Sequence, residues 1–129
     1  MTIATAVCVS ILYVSVCAGA QDSAAPVIAC NLNAIGAAER PRYINLMKRL
    51  RAAVRARTEL PDGFSYKLDE SAITRKEIAE WIAMERLCCP FLVFRQGASG
   101  KQTGWALTLT GPAGVKALLL QEFPGQQRK

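Results

Sequence analysis

The residues best suited to chemistry in this chain are one carboxylate and two thiols, Glu85, Cys88 and Cys89. In a helix, side chains three and four positions apart lie on the same face, so Glu85 can point the same way as both cysteines. Pro90 follows the pair directly and predicts that the helix ends there. The cluster can therefore bind a ligand through sulfur or can serve only as packing at the end of a helix.

A third thiol, Cys30, precedes the first predicted helix of the folded domain. Three converging thiolates would suit a soft, thiophilic metal or metalloid ion. A four-coordinate structural zinc would need one more ligand, and Glu85 is the obvious candidate nearby. The sequence thus predicts a metal site formed by Cys30, Cys88 and Cys89, with Glu85 as an additional ligand, and no other cofactor.

The sequence also leaves open two alternative interpretations without a metal. If Cys8 and Cys17 are lost with a cleaved leader, three thiols are left, so Cys30 could form a disulfide bond with Cys88 or Cys89. Such a bond would persist in an exported protein. Cysteine is also a good small core residue, so the pair could simply be packed. Both interpretations describe a non-catalytic structural or interaction domain.

The composition of the chain and the position of its cysteine pair at the end of a helix give little support for a catalytic function. The chain has no histidine, which excludes His-based general bases, Ser-His and Cys-His pairs and imidazole metal ligands. Reactive thiols are found at helix N-termini, commonly in a C-x-x-C arrangement. Cys88 and Cys89 instead end a helix, where the helix dipole opposes thiolate formation. We therefore expect that the protein is not an enzyme.

Glu85 is the anomaly on its helix face. Ile78, Trp81 and Ile82 define the apolar face of that helix, and Glu85 falls in the middle of it. A carboxylate there is costly unless it is paired, protonated or bound to a metal. It could reach a basic partner, for instance on the first helix, or lie at the edge near water, or be a functional carboxylate beside the thiols.

The order of the helices and strands that must position these residues indicates a small single domain of the α+β class. The predicted order is α-β-α-β-β-α, with a three-stranded sheet covered by helices on one face or on both faces in part. The predicted elements are a helix over 37–57, a strand over 64–68, a helix from the Thr74–Glu77 capping box to Cys88 or Cys89, strands over 91–94 and 105–110, and a helix after Gly114.

The first 20 residues predict a signal peptide. They carry no charged side chain and end in Ala18-Gly19-Ala20, a small-x-small cleavage pattern. The alternatives are an uncleaved membrane anchor, because about 20 apolar residues can span a bilayer, and a misassigned start codon. We expect a linker at 21–28, the domain at 29–123 and a flexible tail at 124–129. If the signal peptide is genuine, we expect an exported protein, either periplasmic or secreted. If it is not, we expect a cytoplasmic protein.

The net charge of +6 is concentrated in the predicted first helix. Six basic residues of this helix lie mainly off its apolar stripe: Arg42, Lys48, Arg49, Arg51, Arg55 and Arg57. These residues can form either a solvated helix face or a contact surface for nucleic acid or another anionic surface. Without interleaved aromatic residues, and with export predicted, we expect no nucleic-acid partner, and membrane contact only through an uncleaved N-terminal segment.

Several motifs resemble a family of small, mostly uncharacterised bacterial proteins. They are Cys30-Asn31-Leu32, Glu39-Arg40, Glu85-Arg86-Leu87-Cys88-Cys89-Pro90-Phe91, and Leu107-Thr108-Leu109-Thr110-Gly111-Pro112 with Gly114-Val115. The resemblance covers residues 28 to 123 and does not include the hydrophobic leader. Related sequences are loosely associated with heavy-metal resistance. The resemblance therefore implies soft-metal chemistry at the cysteines, and it supplies no established activity that could be carried over to this chain.

Overall fold

The computed structural model describes residues 28–99 and 104–125. A short 3₁₀ turn at Leu32–Ala34 comes first. It is followed by α1 (Arg40–Ala53), β1 (Val54–Leu60), β2 (Gly63–Leu68), α2 (Arg75–Cys88), β3 (Val93–Ala98), β4 (Trp105–Thr110) and α3 (Val115–Glu122). The predicted α+β class is confirmed. The predicted signal peptide, most of the predicted linker and the end of the predicted tail lie outside the described residues.

The sheet has four antiparallel strands in the order β1-β2-β4-β3, so the prediction of three strands was wrong. The additional strand, β1, begins at Val54 and so includes residues 54–57, which helical periodicity assigned to the end of the first helix. Its residues Val-Arg-Ala-Arg-Thr-Glu-Leu include good helix formers and lack a clean apolar alternation. Pairing with β2 across the short turn at Pro61 and Asp62 overrides that local preference.

The helix α1 buries the apolar stripe that the sequence predicted. Its buried residues are Tyr43, Leu46, Met47, Leu50 and Ala53. Pro41 lies in the first turn, where its missing N–H would have no intrahelical partner in any case. This helix packs beside α2 and supplies one wall of the candidate site.

The helix α2 begins at the predicted capping box. Thr74 accepts a hydrogen bond from the Glu77 backbone N–H, and Glu77 accepts one from the Thr74 backbone N–H in return. Trp81 on this helix is fully buried, with its ring 6.0 Å from that of Phe94 and 6.3 Å from that of Phe123. These contacts join α2, α3 and the sheet in one core.

The apolar face of the sheet is the one that the helices cover. Phe64, Tyr66 and Leu68 of β2 are buried on this side, together with Leu107 and Leu109 of β4. The Tyr66 ring lies 4.8 Å from the ring of Phe123, which directly follows α3. The intervening positions of β2 and β4 alternate to the opposite face, as expected for strands. Of the two predicted arrangements, the helices therefore pack on one face.

The strand β3 begins later than the apolar run suggested. The prediction placed it at residues 91–94, whereas it spans Val93–Ala98. The Leu92 N–H donates to the carbonyl oxygen of Cys89 at 3.1 Å, so the chain first turns as it leaves α2. The predicted hairpin with β4 is confirmed, with Val93 opposite Thr110 and Ala98 opposite Trp105.

Three of the four arginines of α1, Arg42, Arg49 and Arg51, pair with carboxylates on neighbouring helices. Arg42 donates to both oxygens of Glu80 at 2.8 and 2.7 Å, and Arg49 pairs with Glu77. Exposed pairs of this kind contribute little stability individually. These guanidinium groups are nevertheless paired with carboxylates of the same domain. Their pairing favours the interpretation of a solvated helix face over that of a contact for an anionic partner.

Membrane contact was predicted only through Met1 to Ala20, which lies outside the described residues. Within residues 28–99 and 104–125, each helix falls short of the length and apolar character needed to cross a bilayer. The longest of these helices, α1 and α2, have 14 residues each.

Candidate thiol site

The three predicted thiol residues lie together at the C-terminal end of α2. The sulfur atoms of Cys30, Cys88 and Cys89 are all within 4.8 Å of one another. Cys30 and Cys89 form a disulfide bond across 59 positions of sequence, with their Cα atoms 4.7 Å apart. Cys88 is free and buried. Of the two pairings left open by the sequence, the structure contains the bond to Cys89.

Backbone hydrogen bonds at the end of α2 hold Cys30 beside the pair. The Asn31 N–H donates to the carbonyl oxygen of Cys88 at 2.9 Å. Carbonyl groups in the last turn of a helix lack intrahelical partners, so this bond satisfies one of them. The Asn31 side chain in turn accepts a hydrogen bond of 3.1 Å from the Asn33 N–H and caps the 3₁₀ turn. Asn31 is thus a positioning residue that the sequence reasoning missed, although its type is typical of a cap.

Glu85 is buried and takes its hydrogen bond from α1. Its side chain is only 2% exposed, and its Oε2 accepts a 2.6 Å hydrogen bond from the Tyr43 hydroxyl. One predicted alternative was that Glu85 reaches a basic residue on the first helix. The partner does lie on this helix, but it is the hydroxyl group of Tyr43 and not a cation. Sequence reasoning assigned Tyr43 only to the apolar stripe, because its ring satisfies that pattern and the pattern does not show where its hydroxyl points.

Burial dominates the electrostatics of this pair. It raises the pKa of Glu85 to about 7, while the hydrogen bond from Tyr43 acts in the opposite direction. Burial and the adjacent Glu85 raise the pKa of Tyr43 far above its ordinary value. Tyr43 is therefore a neutral donor throughout the physiological range, and Glu85 is the group whose charge changes near neutral pH.

The free thiol of Cys88 is held in its protonated form. Burial is the largest cause that raises its pKa, and the negative charge of Glu85 adds to the effect. The dipole at the C-terminus of α2 acts in the same direction. A protonated thiol is a poor nucleophile, so Cys88 can lie beside the Cys30–Cys89 bond without exchanging with it readily.

An open groove of about 500 Å³ gives access to the site. We call it the thiol groove. Its lining residues are Cys30, Leu32, Tyr43, Ile44, Met47, Lys48, Arg51, Cys88 and Glu122. Two of the three cysteines therefore face it, whereas Cys89 is completely buried behind them. Leu32 and Ile44 give the groove an exposed apolar wall, being 41% and 55% exposed.

The donor set suits a soft ion better than zinc. Three sulfurs converge, and no oxygen of Glu85 belongs to that close group. The carboxylate hydrogen-bonds to Tyr43 instead, so its role as a further ligand stays a prediction. Zinc in structural sites takes four ligands, whereas soft metals and metalloids accept thiolates alone.

Comparisons of this chain with protein-family models, with curated proteins and with solved structures find no match. The resemblance of its cysteine motifs to bacterial proteins associated with heavy-metal resistance therefore stays a prediction. What the site can do must be inferred from its sulfur geometry, its burial and its groove.

Proposed function

We propose that this domain binds a soft metal or metalloid ion through Cys30, Cys88 and Cys89 when the Cys30–Cys89 bond is reduced. The disulfide form is then the closed form of the same site. The observation that carries the proposal is the convergence of three sulfurs within 4.8 Å at the end of one helix. Thiolates in such a group match the preference of soft ions for sulfur donors.

Reduction turns the bonded pair into two thiols and leaves all three sulfurs available. Binding then releases the thiol protons, because a metal ion binds the thiolate form. The raised pKa of Cys88 opposes this step, so the affinity should increase with pH. The thiol groove provides the entry path, since Cys30 and Cys88 both line it.

A second candidate function is a structural domain in which the disulfide bond is permanent. The observation in its favour is the Cys30–Cys89 bond itself, which joins the segment before α1 to the end of α2. In this case Cys88 is a core residue, and the reduced protein should have no particular affinity for soft ions. The two functions therefore differ in what the reduced protein binds.

The test is metal titration of the full chain in a background that keeps only the three site cysteines. Cys8→Ser and Cys17→Ser provide that background. After reduction with a phosphine and its removal under anaerobic conditions, the protein is titrated with Hg(II), As(III) and Zn(II). We expect one As(III) or Hg(II) ion per chain, bound far more tightly than Zn(II).

Single substitutions decide whether the three sulfurs are the ligands. Cys30→Ser, Cys88→Ser and Cys89→Ser each remove one thiolate and should weaken As(III) binding strongly, since As(III) favours three sulfur donors. The parent with only Cys8 and Cys17 replaced is the matched control. Unchanged As(III) binding in the Cys88→Ser and Cys89→Ser variants would overturn the proposal.

A further inference from the structure

The thiol groove reaches one sulfur of the disulfide bond and not the other. Cys30 lines the groove, whereas Cys89 is completely buried. We propose that a small organic thiol carrying a carboxylate enters this groove and opens the disulfide bond by attacking the sulfur of Cys30. This inference rests on the proposed function, because the reaction converts the closed form of the site into the form that binds metal.

The size of the groove supports a small-molecule reductant. Its volume of about 500 Å³ falls within the range of roughly 300–1,000 Å³ that is typical of small-molecule sites. The aliphatic side chains of Leu32 and Ile44 lie at its wall, partly open to solvent. They can cover the carbon skeleton of a short thiol while its sulfur points toward Cys30.

The charge of the groove supports an acidic thiol. Its charged lining residues are the cations Lys48 and Arg51 and the carboxylate of Glu122. Arg51 is paired with Glu122 at 2.9 Å. Lys48 is exposed, and within the described part of the chain it has no carboxylate at ion-pair distance. Its ammonium group is the one that can attract the carboxylate of an incoming thiol.

The reaction is a thiol–disulfide exchange in two steps. The incoming thiolate forms a bond to the Cys30 sulfur, and the Cys30–Cys89 bond breaks, so Cys89 leaves as a thiolate and takes up a proton. A second thiolate then attacks the small-molecule sulfur of the mixed disulfide and releases Cys30. Two molecules of thiol are oxidised to one small disulfide. The two electrons that they give up reduce Cys30 and Cys89, so that both are thiols beside Cys88.

The first experiment measures how fast three thiol probes open the disulfide bond of the full chain. The probes are mercaptoacetate, 2-mercaptoethanol and cysteamine, which carry a negative, a neutral and a positive substituent. Each rate is divided by the rate of the same probe with an uncharged reference, 2-hydroxyethyl disulfide, so that differences in thiol reactivity cancel. We expect mercaptoacetate to be fastest and cysteamine slowest after this correction, with the difference shrinking at high salt.

Charge reversal at the groove provides the matched variants. Lys48→Glu should slow the corrected mercaptoacetate rate about fivefold, as expected for loss and reversal of one nearby charge. Lys76→Glu makes the same charge change on the exposed surface of α2, away from the groove lining, and should leave the rate unchanged. Equal rates for the three probes, or equal effects of the two variants, would overturn the proposal.

A second experiment locates the attacked sulfur. The reaction with mercaptoacetate is stopped early with an alkylating agent in the Cys88→Ser variant, and the peptides are examined by mass spectrometry. The probe should be attached to Cys30 and the alkyl group to Cys89. The reverse distribution would contradict the proposal. Metal titration uses phosphine-reduced protein, so a failure here leaves the proposed metal site intact and separately testable.

Discussion

The hydroxyl of Tyr43 on α1 donates a 2.6 Å hydrogen bond to the buried carboxyl group of Glu85 on α2, across 42 positions of sequence. Both side chains are nearly inaccessible to solvent. The bond therefore joins the two helices inside the core and gives a buried, titratable group its partner. Glu85 also raises the pKa of Cys88, so the pair influences the thiol site electrostatically.

Removing this hydrogen bond should destabilise the domain. In Tyr43→Phe the carboxyl group of Glu85 loses its donor, which should lower the free energy of unfolding by about 1–3 kcal/mol. The loss should be larger at pH 8, where Glu85 is charged, than at pH 5. Urea denaturation at the two pH values measures both quantities.

The chain offers a matched control in Tyr66→Phe. The Tyr66 hydroxyl is also buried, but it has no hydrogen-bond partner in the described part of the protein. Its removal should leave the stability unchanged or raise it slightly, because no hydrogen bond is lost. Equal destabilisation by both substitutions would show that the contact between Tyr43 and Glu85 has no special role.

Glu85 should make the stability fall as the pH rises toward neutrality. Burial raises its pKa from an ordinary 4.5 to about 7, so the folded chain binds this proton more tightly than the unfolded chain. The stabilisation is complete below pH 4.5 and is lost as the pH rises to about 7; it amounts to about 3 kcal/mol. The chain has no histidine, which leaves this range largely free of other titrations.

The variant Glu85→Gln tests this pH dependence. The amide keeps an acceptor for the Tyr43 hydroxyl and cannot ionise, so the slope of the unfolding free energy between pH 5 and 7 should largely disappear. Chemical denaturation across this range, with the disulfide bond intact, measures the slope. A slope equal to that of the unsubstituted protein would assign the titration to another group.

Opening the disulfide bond should cost considerable stability without unfolding the domain at once. A loop of 59 residues predicts a loss of about 4 kcal/mol from the greater freedom of the unfolded chain. Cys89→Ser should therefore lower the denaturation midpoint strongly, and a reducing agent should have no further effect on it. Cys88→Ala keeps the bond, should cost about 1 kcal/mol, and should remain sensitive to reductant.

Because β2 lies so close to β4 at Gly63, replacing this glycine should destabilise the domain. A Cβ atom there would collide with the carbonyl oxygen of Leu109, which the sheet holds in place. Gly63→Ala should therefore cost at least about 2 kcal/mol. At Gly97 on β3 a Cβ atom would meet nothing within 4 Å, so Gly97→Ala should be neutral or slightly stabilising. Thermal denaturation of both variants gives the comparison.

Much of the fold could be predicted because local chemistry agrees with the tertiary structure. The Thr74–Glu77 capping box begins α2 and Pro90 follows its end, as the sequence indicated. The strand β1 could not be predicted. Its residues favour a helix locally, and its hydrogen bonds are made to β2, which lies on the far side of a turn.

The sequence by itself determined which residues could form a thiol site and that Glu85 would lie on an apolar face. Tertiary structure alone decided that Cys30 meets Cys89, that Cys88 stays free and that Glu85 finds a hydroxyl on α1. The physical reason is the range of the interactions. Helix caps and periodicity act over a few residues, whereas a disulfide bond or a buried hydrogen bond depends on how distant segments pack together.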